Sequence, residues 1–356
     1  MKAADSGSEL KIPFFRNRAN VFNLLTITFS GIAIRTQMNK RYNDLNTYLR
    51  NRFGCRVQKI TLDAGLFCPN RDGTISRGGC IYCNARGSGT GAYAKGLSIT
   101  EQLMRGKESL SRRYKAKKFI AYFQSFSNTY AHADKLGALY GEALAVEDVV
   151  GLSIGTRPDC VNEPVLNLLE GYARDNLIWI EYGLQSAHDA TLSLINRGHD
   201  FRCFEKAVEA TRNRDIKICV HIILGLPGEE KRHMIRTSEI ISNMGIDGIK
   251  LHLLYVIRGT KLAEMYQKSD YTCLEQEEYV DIVCDFLERI PREIVIQRLT
   301  GDPHRQELIA PMWSLRKRET LDMIKDRLEK RDSWQGKYLR QAQLPFIFSA
   351  EQTVKH

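Results

Sequence analysis

The stretch Val57-Gln-Lys-Ile-Thr-Leu-Asp63-Ala-Gly-Leu-Phe-Cys68-Pro-Asn-Arg-Asp-Gly-Thr-Ile-Ser-Arg-Gly-Gly-Cys80-Ile-Tyr-Cys83 joins a β-branched run to a glycine-rich loop carrying three cysteines. Runs of the first kind recur downstream at Lys118–Phe123, Val149–Ile154, Ile178–Leu184, Ile216–Leu224, Gly248–Leu254 and Ile294–Leu299. Between them lie stretches of helical period, at Ile99–Lys115, Glu163–Arg174, Phe201–Asn213, Glu229–Asn243 and Leu274–Ile290. Strand and helix alternating in this way predict an α/β fold with a parallel sheet and helices packed outside it. Six or seven such units are too few for a closed eight-stranded barrel. The expected fold is a partial (β/α) barrel, with its chemistry at the C-terminal ends of the strands.

The pattern changes after Leu299, to Thr300-Gly-Asp-Pro-His304, a basic helix over Trp313–Arg331 and an aromatic-containing tail. The expected organisation is a barrel over 38–299 and a helical C-terminal appendage over 300–356 that covers the barrel mouth. Residues 1–37 read as an extension. Their apolar run Val21–Ile34 behind Lys11, Arg16 and Arg18 resembles a weak signal-peptide core, whereas Met38 opens the first well-patterned segment. A disordered tail or an upstream start-site artefact is the expectation for that extension.

The chain has 356 residues, 43% hydrophobic and 26% charged, which is a globular composition with no disorder signature. Its 52 Lys and Arg against 42 Asp and Glu give a net charge of +10. That excess favours a polyanionic partner such as nucleic acid, although many basic proteins bind none. The clusters Arg112-Arg113-Tyr-Lys115-Ala-Lys117-Lys118 and Arg316-Lys-Arg318 are candidates for phosphate contact or simply solvated helix faces. No apolar run reaches the roughly 18 residues that span a bilayer. Nine cysteines, an odd and irregularly spaced set, suit a reducing, cytoplasmic setting and a metal site.

Three thiolates converging from a glycine-rich loop suit an iron–sulfur cluster, because the backbone can wrap closely around it. Three ligands leave a fourth iron open to chemistry. The competing reading adds Cys55 and makes the site four-thiolate structural zinc. Cys160, Cys203, Cys219, Cys273 and Cys284 stand at isolated positions and read as buried structural thiols. Cys160, beside Gly155-Thr-Arg-Pro-Asp159, is also a candidate for a substrate role.

With the Cys68–Cys83 loop the chain resembles radical S-adenosylmethionine (SAM) proteins of the YhcC/YtqA type, related to the catalytic subunit of Elongator and more distantly to oxygen-independent coproporphyrinogen oxidase. The usual Cys-x3-Cys-x-aromatic-Cys spacing is stretched between its first two cysteines, as in that type, while Tyr82 keeps the aromatic position. Further blocks match in order: Lys59–Gly65, Tyr122–Tyr130, Gly155–Asp159, Glu181–Ser186, Asn196–His199, His221–Glu229 and Gln297–Asp302. The resemblance runs from about Met38 to Lys337.

The resemblance implies a [4Fe-4S] cluster on Cys68, Cys80 and Cys83, with SAM on the open iron and cleaved to a 5′-deoxyadenosyl radical. It implies that Tyr82 belongs to the cofactor site, that Gln124 and Ser125 reach the methionyl amino group, and that Gln185 contacts the ribose. It implies that Arg197 pairs with the SAM carboxylate, a task suited to a two-pronged guanidinium. His221 holds the position of a ribose-binding acid in some relatives, and residues 222–228 line the adenine side. Read singly, Gln185 satisfies strand-end backbone, Arg197 caps a helix and His221 is a core histidine. Tyr122, Asn128 and Tyr130 are catalytic candidates by position only.

The implied substrate is the wobble uridine of tRNA, its carboxymethylaminomethyl group remodelled towards aminomethyl. The implied electron donor is a protein such as flavodoxin or ferredoxin. A radical SAM enzyme acting on a small metabolite and a non-catalytic zinc-containing nucleic-acid-binding protein are the alternative readings.

Overall fold

A computed structural model describes residues 40–84, 87 and 92–339. Contacts divide the chain into two units, residues 1–41 and 42–356. Of the first, only Lys40 and Arg41 are described, so the extension expected over 1–37 lies outside the described residues, as does the tail beyond residue 339.

The second unit is built on seven parallel strands: β1 (Val57–Leu62), β2 (Lys118–Phe123), β3 (Val149–Thr156), β4 (Leu177–Gln185), β5 (Lys217–Leu224), β6 (Gly248–Leu253) and β8 (Val295–Arg298). They lie side by side in that order, a half-barrel with β1 and β8 at its edges. A separate two-residue strand, β7 (Val256–Ile257), pairs antiparallel with β9 (Leu308–Ala310).

Helix α1 (Leu45–Phe53) precedes β1, and the single turn α2 (Pro69–Asp72) follows it. The crossovers carry α3 (Ile99–Tyr114), α4 (Ala133–Leu144), α5 (Glu163–Ala173), α6 (Asp189–Leu194), α7 (Phe201–Thr211), α8 (Lys231–Ile241), α9 (Lys261–Gln267) and α10 (Gln276–Leu287). Helix α11 (Lys317–Lys330) ends the described chain. Side-chain caps start several of them: Ser98 and Glu101 form a reciprocal capping box on α3, and Asn162 and Asp200 cap α5 and α7.

The strand pattern explains the two faces of the sheet, since successive side chains point to opposite sides. In β4, Ile178, Ile180, Tyr182 and Leu184 join the core beneath the helices, with Leu62, Phe123, Ile154, Val220 and Leu251 from the other strands. Each fully buried side chain of this kind stabilises the fold by about 1.5–3 kcal/mol. The inward set of β4 changes character along its length. Trp179 packs with Leu49, Val57, Ile120 and Val295 to close the barrel floor, and Tyr48 of α1 meets its ring edge-on at 5.8 Å. Glu181, Gly183 and Gln185, further along, face an open cleft at the C-terminal end. A dry floor below a polar mouth follows from this gradient.

The C-terminal region departs from expectation. The helix expected over 313–331 divides into a 3₁₀ turn at Met312–Leu315 and α11. It packs along α10, and none of its residues lines the cleft. Its buried stripe Thr320, Ile324 and Leu328 has i,i+4 spacing, and Arg327 and Arg331 pair with Asp281 and Asp285 of α10. The segment that reaches the cleft rim is the stretch before it, through the β7–β9 pair and Asn84 donating to Glu307 at 2.9 Å.

Candidate functional site

The cysteine loop is tied down before any cofactor enters. Cys68 leads into α2, with Pro69 at its first turn and the amides of Arg71 and Asp72 donating to the Cys68 carbonyl. Gly79 has φ +80° and donates to the Asn70 carbonyl at 2.9 Å, a left-handed geometry that suits glycine. Asn70 then links the loop to the α6–α7 connection. Its Nδ2 donates to the Asn196 carbonyl at 2.7 Å, and the Asn196 amide returns a bond to the Gly79 carbonyl at 2.8 Å.

Cys68, Cys80 and Cys83 are free and line one open cleft of about 1180 Å³, solvent-filled mouth included. Burial, then neighbouring Cys80, pushes the Cys83 thiol up to about 11, with Arg71 opposing. Among the described residues no three His, Cys, Asp or Glu side chains close around a single metal ion. Cys55 precedes β1 and packs beside the barrel floor, whereas Cys68 follows that strand. A six-residue strand separates them by on the order of 20 Å. The four-thiolate zinc reading therefore has no fourth ligand in Cys55.

Arg197 is held from two sides. Its Nη1 donates to Cys80 Sγ at 3.5 Å, and Nε and Nη2 both donate to the Gly183 carbonyl. Arg157 clasps Asp159 through Nε and Nη2 at 2.8 and 2.6 Å and donates from Nη1 to the Arg197 carbonyl at 2.8 Å. The Gly155–Asp159 block thus serves as scaffold for Arg197. All three Arg197 nitrogens are engaged by protein, with a cluster-loop cysteine where a SAM carboxylate was expected.

Of the other expected residues, Tyr82, Tyr122, Gln124, Gln185 and His221 line the same cleft. Tyr82 carries a buried hydroxyl with no protein partner. Gln185 ends β4 at φ +78°. Four expected residues lie outside the cleft wall. Ser125 is buried with an unpartnered hydroxyl. Asn128 donates from its amide to the Gly155 carbonyl at 2.9 Å. The Tyr130 hydroxyl meets Thr74 Oγ1 at 3.0 Å beside the cysteine loop. Cys160 is buried, and that burial lifts its thiol to about 12.

Sequence reasoning gave no role to the group at the centre of the barrel. Glu181 is completely buried and gathers Lys59 (2.7 Å), Lys250, His221 (2.8 Å) and Ser153. Burial alone would raise its pKa, but Lys250, Lys59 and His221 outweigh that and hold the carboxyl well below the usual range. Burial is also the main reason that Lys250 falls to about 7 and His221 to about 4. Lys250 Nζ lies 4.0 Å from the centre of the Tyr122 ring. His252, Tyr255 and Arg298 complete the wall. A charged residue alternating with β-branched or aromatic neighbours, as in Trp179-Ile-Glu181 and Ile249-Lys250-Leu251, is the sequence signal that marks such inward positions.

The basic cluster Arg112–Lys118 lies at the other end of β2 from Gln124, remote from the cleft, because Lys118 opens the strand. Arg113 faces the Tyr114 ring and Lys118 the Phe53 ring, which accounts for part of the cluster structurally. Lys317, from the second cluster, pairs with Asp302 at 3.1 Å near the open edge of the half-barrel.

Comparison with known proteins agrees with this architecture. Residues 67–241 match the radical SAM superfamily model and 246–330 match the radical SAM C-terminal domain. The YtqA protein of Bacillus subtilis is 43% identical over 301 residues, 85% of this chain and 94% of that one. The YhcC protein of Escherichia coli is 40% identical over 278 residues, covering 78% and 89%. A tRNA uridine(34) acetyltransferase of Methanocaldococcus infernus is 29% identical over 160 residues, covering 43% and 29%. The solved structure of Elp3 from Methanocaldococcus infernus, lacking its N-terminus, superposes with a TM-score of 0.61 at 17% identity, covering 78% of this chain and 64% of that one, and so supports the fold. With a half-barrel, a three-cysteine loop at its mouth and near full-length similarity to YtqA and YhcC, the chain belongs to the radical SAM superfamily, in its YhcC/YtqA-type family.

Proposed function

We propose that Cys68, Cys80 and Cys83 hold a [4Fe-4S] cluster, that SAM binds beside it in the cleft, and that the substrate is the wobble uridine of tRNA. The observation that carries the cofactor reading is the donor set: three free thiols from one anchored loop open into a single cleft, one of them already facing a guanidinium. When bound, cluster and SAM together supply a 5′-deoxyadenosyl radical able to take hydrogen from an unactivated carbon.

The chain's own residues do the positioning. The Arg197 N–H aimed at Cys80 stabilises a ligand sulfur bearing negative charge. Arg71 donates to the Cys83 carbonyl at 3.4 Å and fixes the far end of the loop. Gln124, Gln185 and His221 border the SAM region, with Tyr82 on the cluster side. The apolar floor around Trp179, with α1 packed on it, keeps hydrocarbon at one end of the barrel, while the edge between β1 and β8 stays open beside Lys59 and Arg298.

The tRNA reading rests on the partial similarity to a protein named for uridine 34 and on the net charge of +10. The nine free cysteines support a reducing, cytoplasmic setting with a flavodoxin- or ferredoxin-like donor. Among the described residues no helix is long and apolar enough to cross a membrane.

Anaerobic reconstitution with iron and sulfide tests the cofactor reading. About four irons per chain, with 5′-deoxyadenosine formed from SAM and reductant, is the expected result. Both are lost in a Cys68/Cys80/Cys83 triple alanine variant. Zinc without sulfide and no SAM cleavage would reject it. The substrate is tested by nucleoside mass spectrometry of tRNA from a deletion strain, where unchanged wobble uridines reject the tRNA assignment and favour a small metabolite.

A further inference from the structure

We propose that Arg298, His252 and Tyr255 form an anion subsite in the cleft wall, which holds a carboxylate or phosphate of the substrate while the radical chemistry proceeds. This rests on the radical SAM reading of the cleft and names residues that select its substrate.

Register places the first two together. Arg298 of β8 stands beside Lys250 of β6 in the ladder, and His252 follows Lys250 by two residues, hence on the same inward face. Tyr255 comes just after β6, and its hydroxyl occupies the space above Gly301, where a Cβ would fall 1.5 Å from the oxygen. All three line the cleft.

What the three share is that, among the described residues, no protein group accepts from them. His252 Nε2 and Tyr255 Oη are buried without a partner. Among the described residues the Arg298 guanidinium makes no hydrogen bond and no ion pair. The other cations of the barrel are satisfied, since Lys59 and Lys250 both converge on Glu181. Among the described residues Glu181 is the single acidic side chain lining the cleft, and Lys59 and Lys250 already share it, so no carboxylate is left for Arg298. Asp302 is drawn outside by Lys317. Buried donors without acceptors, as at His252 and Tyr255, are costly, and the half-buried Arg298 adds an uncompensated positive charge beside them. An anion accepting from the guanidinium fork, the imidazole and the phenol removes both.

The test uses the full-length, cluster-loaded protein and measures dissociation constants anaerobically. The probes are two anticodon stem-loops, identical except that one carries carboxymethylaminomethyluridine and the other aminomethyluridine at the wobble position, together with acetate and inorganic phosphate. If the group held is the base carboxylate, the wild type prefers the first stem-loop at least tenfold. Arg298→Gln then abolishes that preference and Arg298→Lys keeps part of it. If the group is a backbone phosphate, both RNAs bind alike and Arg298→Gln weakens both about tenfold. Binding of neither RNA, with Arg298-dependent binding of acetate or phosphate, keeps the subsite and rejects the tRNA reading. Tyr255→Phe, which deletes a hydroxyl with no protein partner and so leaves folding intact, weakens the preferred probe severalfold. The subsite is overturned if every probe binds Arg298→Gln and Tyr255→Phe as it binds the wild type, or if Arg298→Gln weakens SAM binding instead.

Discussion

Arg197 and Cys80 are joined side chain to side chain, Nη1 to Sγ at 3.5 Å, across 117 positions of sequence. The contact couples β4, whose Gly183 carbonyl holds the same guanidinium, to the cysteine loop. Hydrogen bonds to ligand sulfurs set cluster potentials, and partners of this outer kind typically change affinity or activity by about 10–100-fold. Arg197→Gln is therefore expected to lower the reduction potential of the reconstituted protein and to slow 5′-deoxyadenosine formation roughly tenfold or more. An EPR-monitored redox titration that finds the potential unmoved would show that the contact is only structural.

Cys160 illustrates the opposite case. Its thiol is buried and lifted to about 12, and its carbonyl accepts from Thr129 Oγ1 at 2.6 Å. Nothing about it suits a nucleophile or a ligand at neutral pH. Cys160→Ala is expected to keep full iron and sulfide content and to cost on the order of 1 kcal/mol in denaturant unfolding. Loss of iron in that variant would return it to the candidate site.

Acid stability follows from three groups that act in the same direction. Burial lowers His221 from its ordinary 6.5 to about 4, against the pull of the Glu181 hydrogen bond. The unfolded chain then takes up a proton that the folded one refuses, so stability falls as pH drops from about 6.5 to 4. Glu181, held well below 4.5, contributes stability that is lost only as pH falls further, through its folded value. His199, lowered to about 3 chiefly by burial, adds to the first window. The expected loss attributable to His221 is on the order of 2 kcal/mol. Urea midpoints of the wild type and His221→Gln between pH 7 and 4 measure it, and parallel curves would exclude His221 as a source.

Much of the barrel was legible because its outer face is written locally. Lys118–Phe123 is bounded as the β-branched pattern predicts, and the other six parallel strands agree to within one or two residues at each end. The three cysteines, Tyr82, Gln124, Gln185, Arg197 and His221, drawn from separate stretches of the sequence, all line one cleft. The remainder was hidden by distance along the chain. Glu181 is 122 residues from Lys59 and 69 from Lys250, and nothing local announces that three strands will bring them into contact. Arg298 and His252 are likewise neighbours only through the β6–β8 register. The position of α11 depends on ion pairs with α10 that no periodicity reveals.

The Glu181 hub makes the strongest stability prediction. Its carboxylate compensates Lys59 and Lys250 in the barrel interior, where Lys250 is 3% exposed and Glu181 itself is fully buried. Removing the shared carboxylate leaves Lys59 and Lys250 desolvated without a counter-charge, to be carried as buried charge or relieved only by giving up a proton, a loss of about 3–5 kcal/mol. Glu181→Gln should therefore unfold at markedly lower denaturant, although glutamine preserves the volume. Replacing the stranded cation as well, in Glu181→Gln/Lys250→Met, should recover a substantial part of the loss, because an apolar side chain of similar length pairs with nothing and needs no partner. A double variant as unstable as the sum of its singles would mean that the residues contribute independently. Recovery in the double variant would instead show that the uncompensated lysine, and not the missing hydrogen bonds, carries most of the penalty.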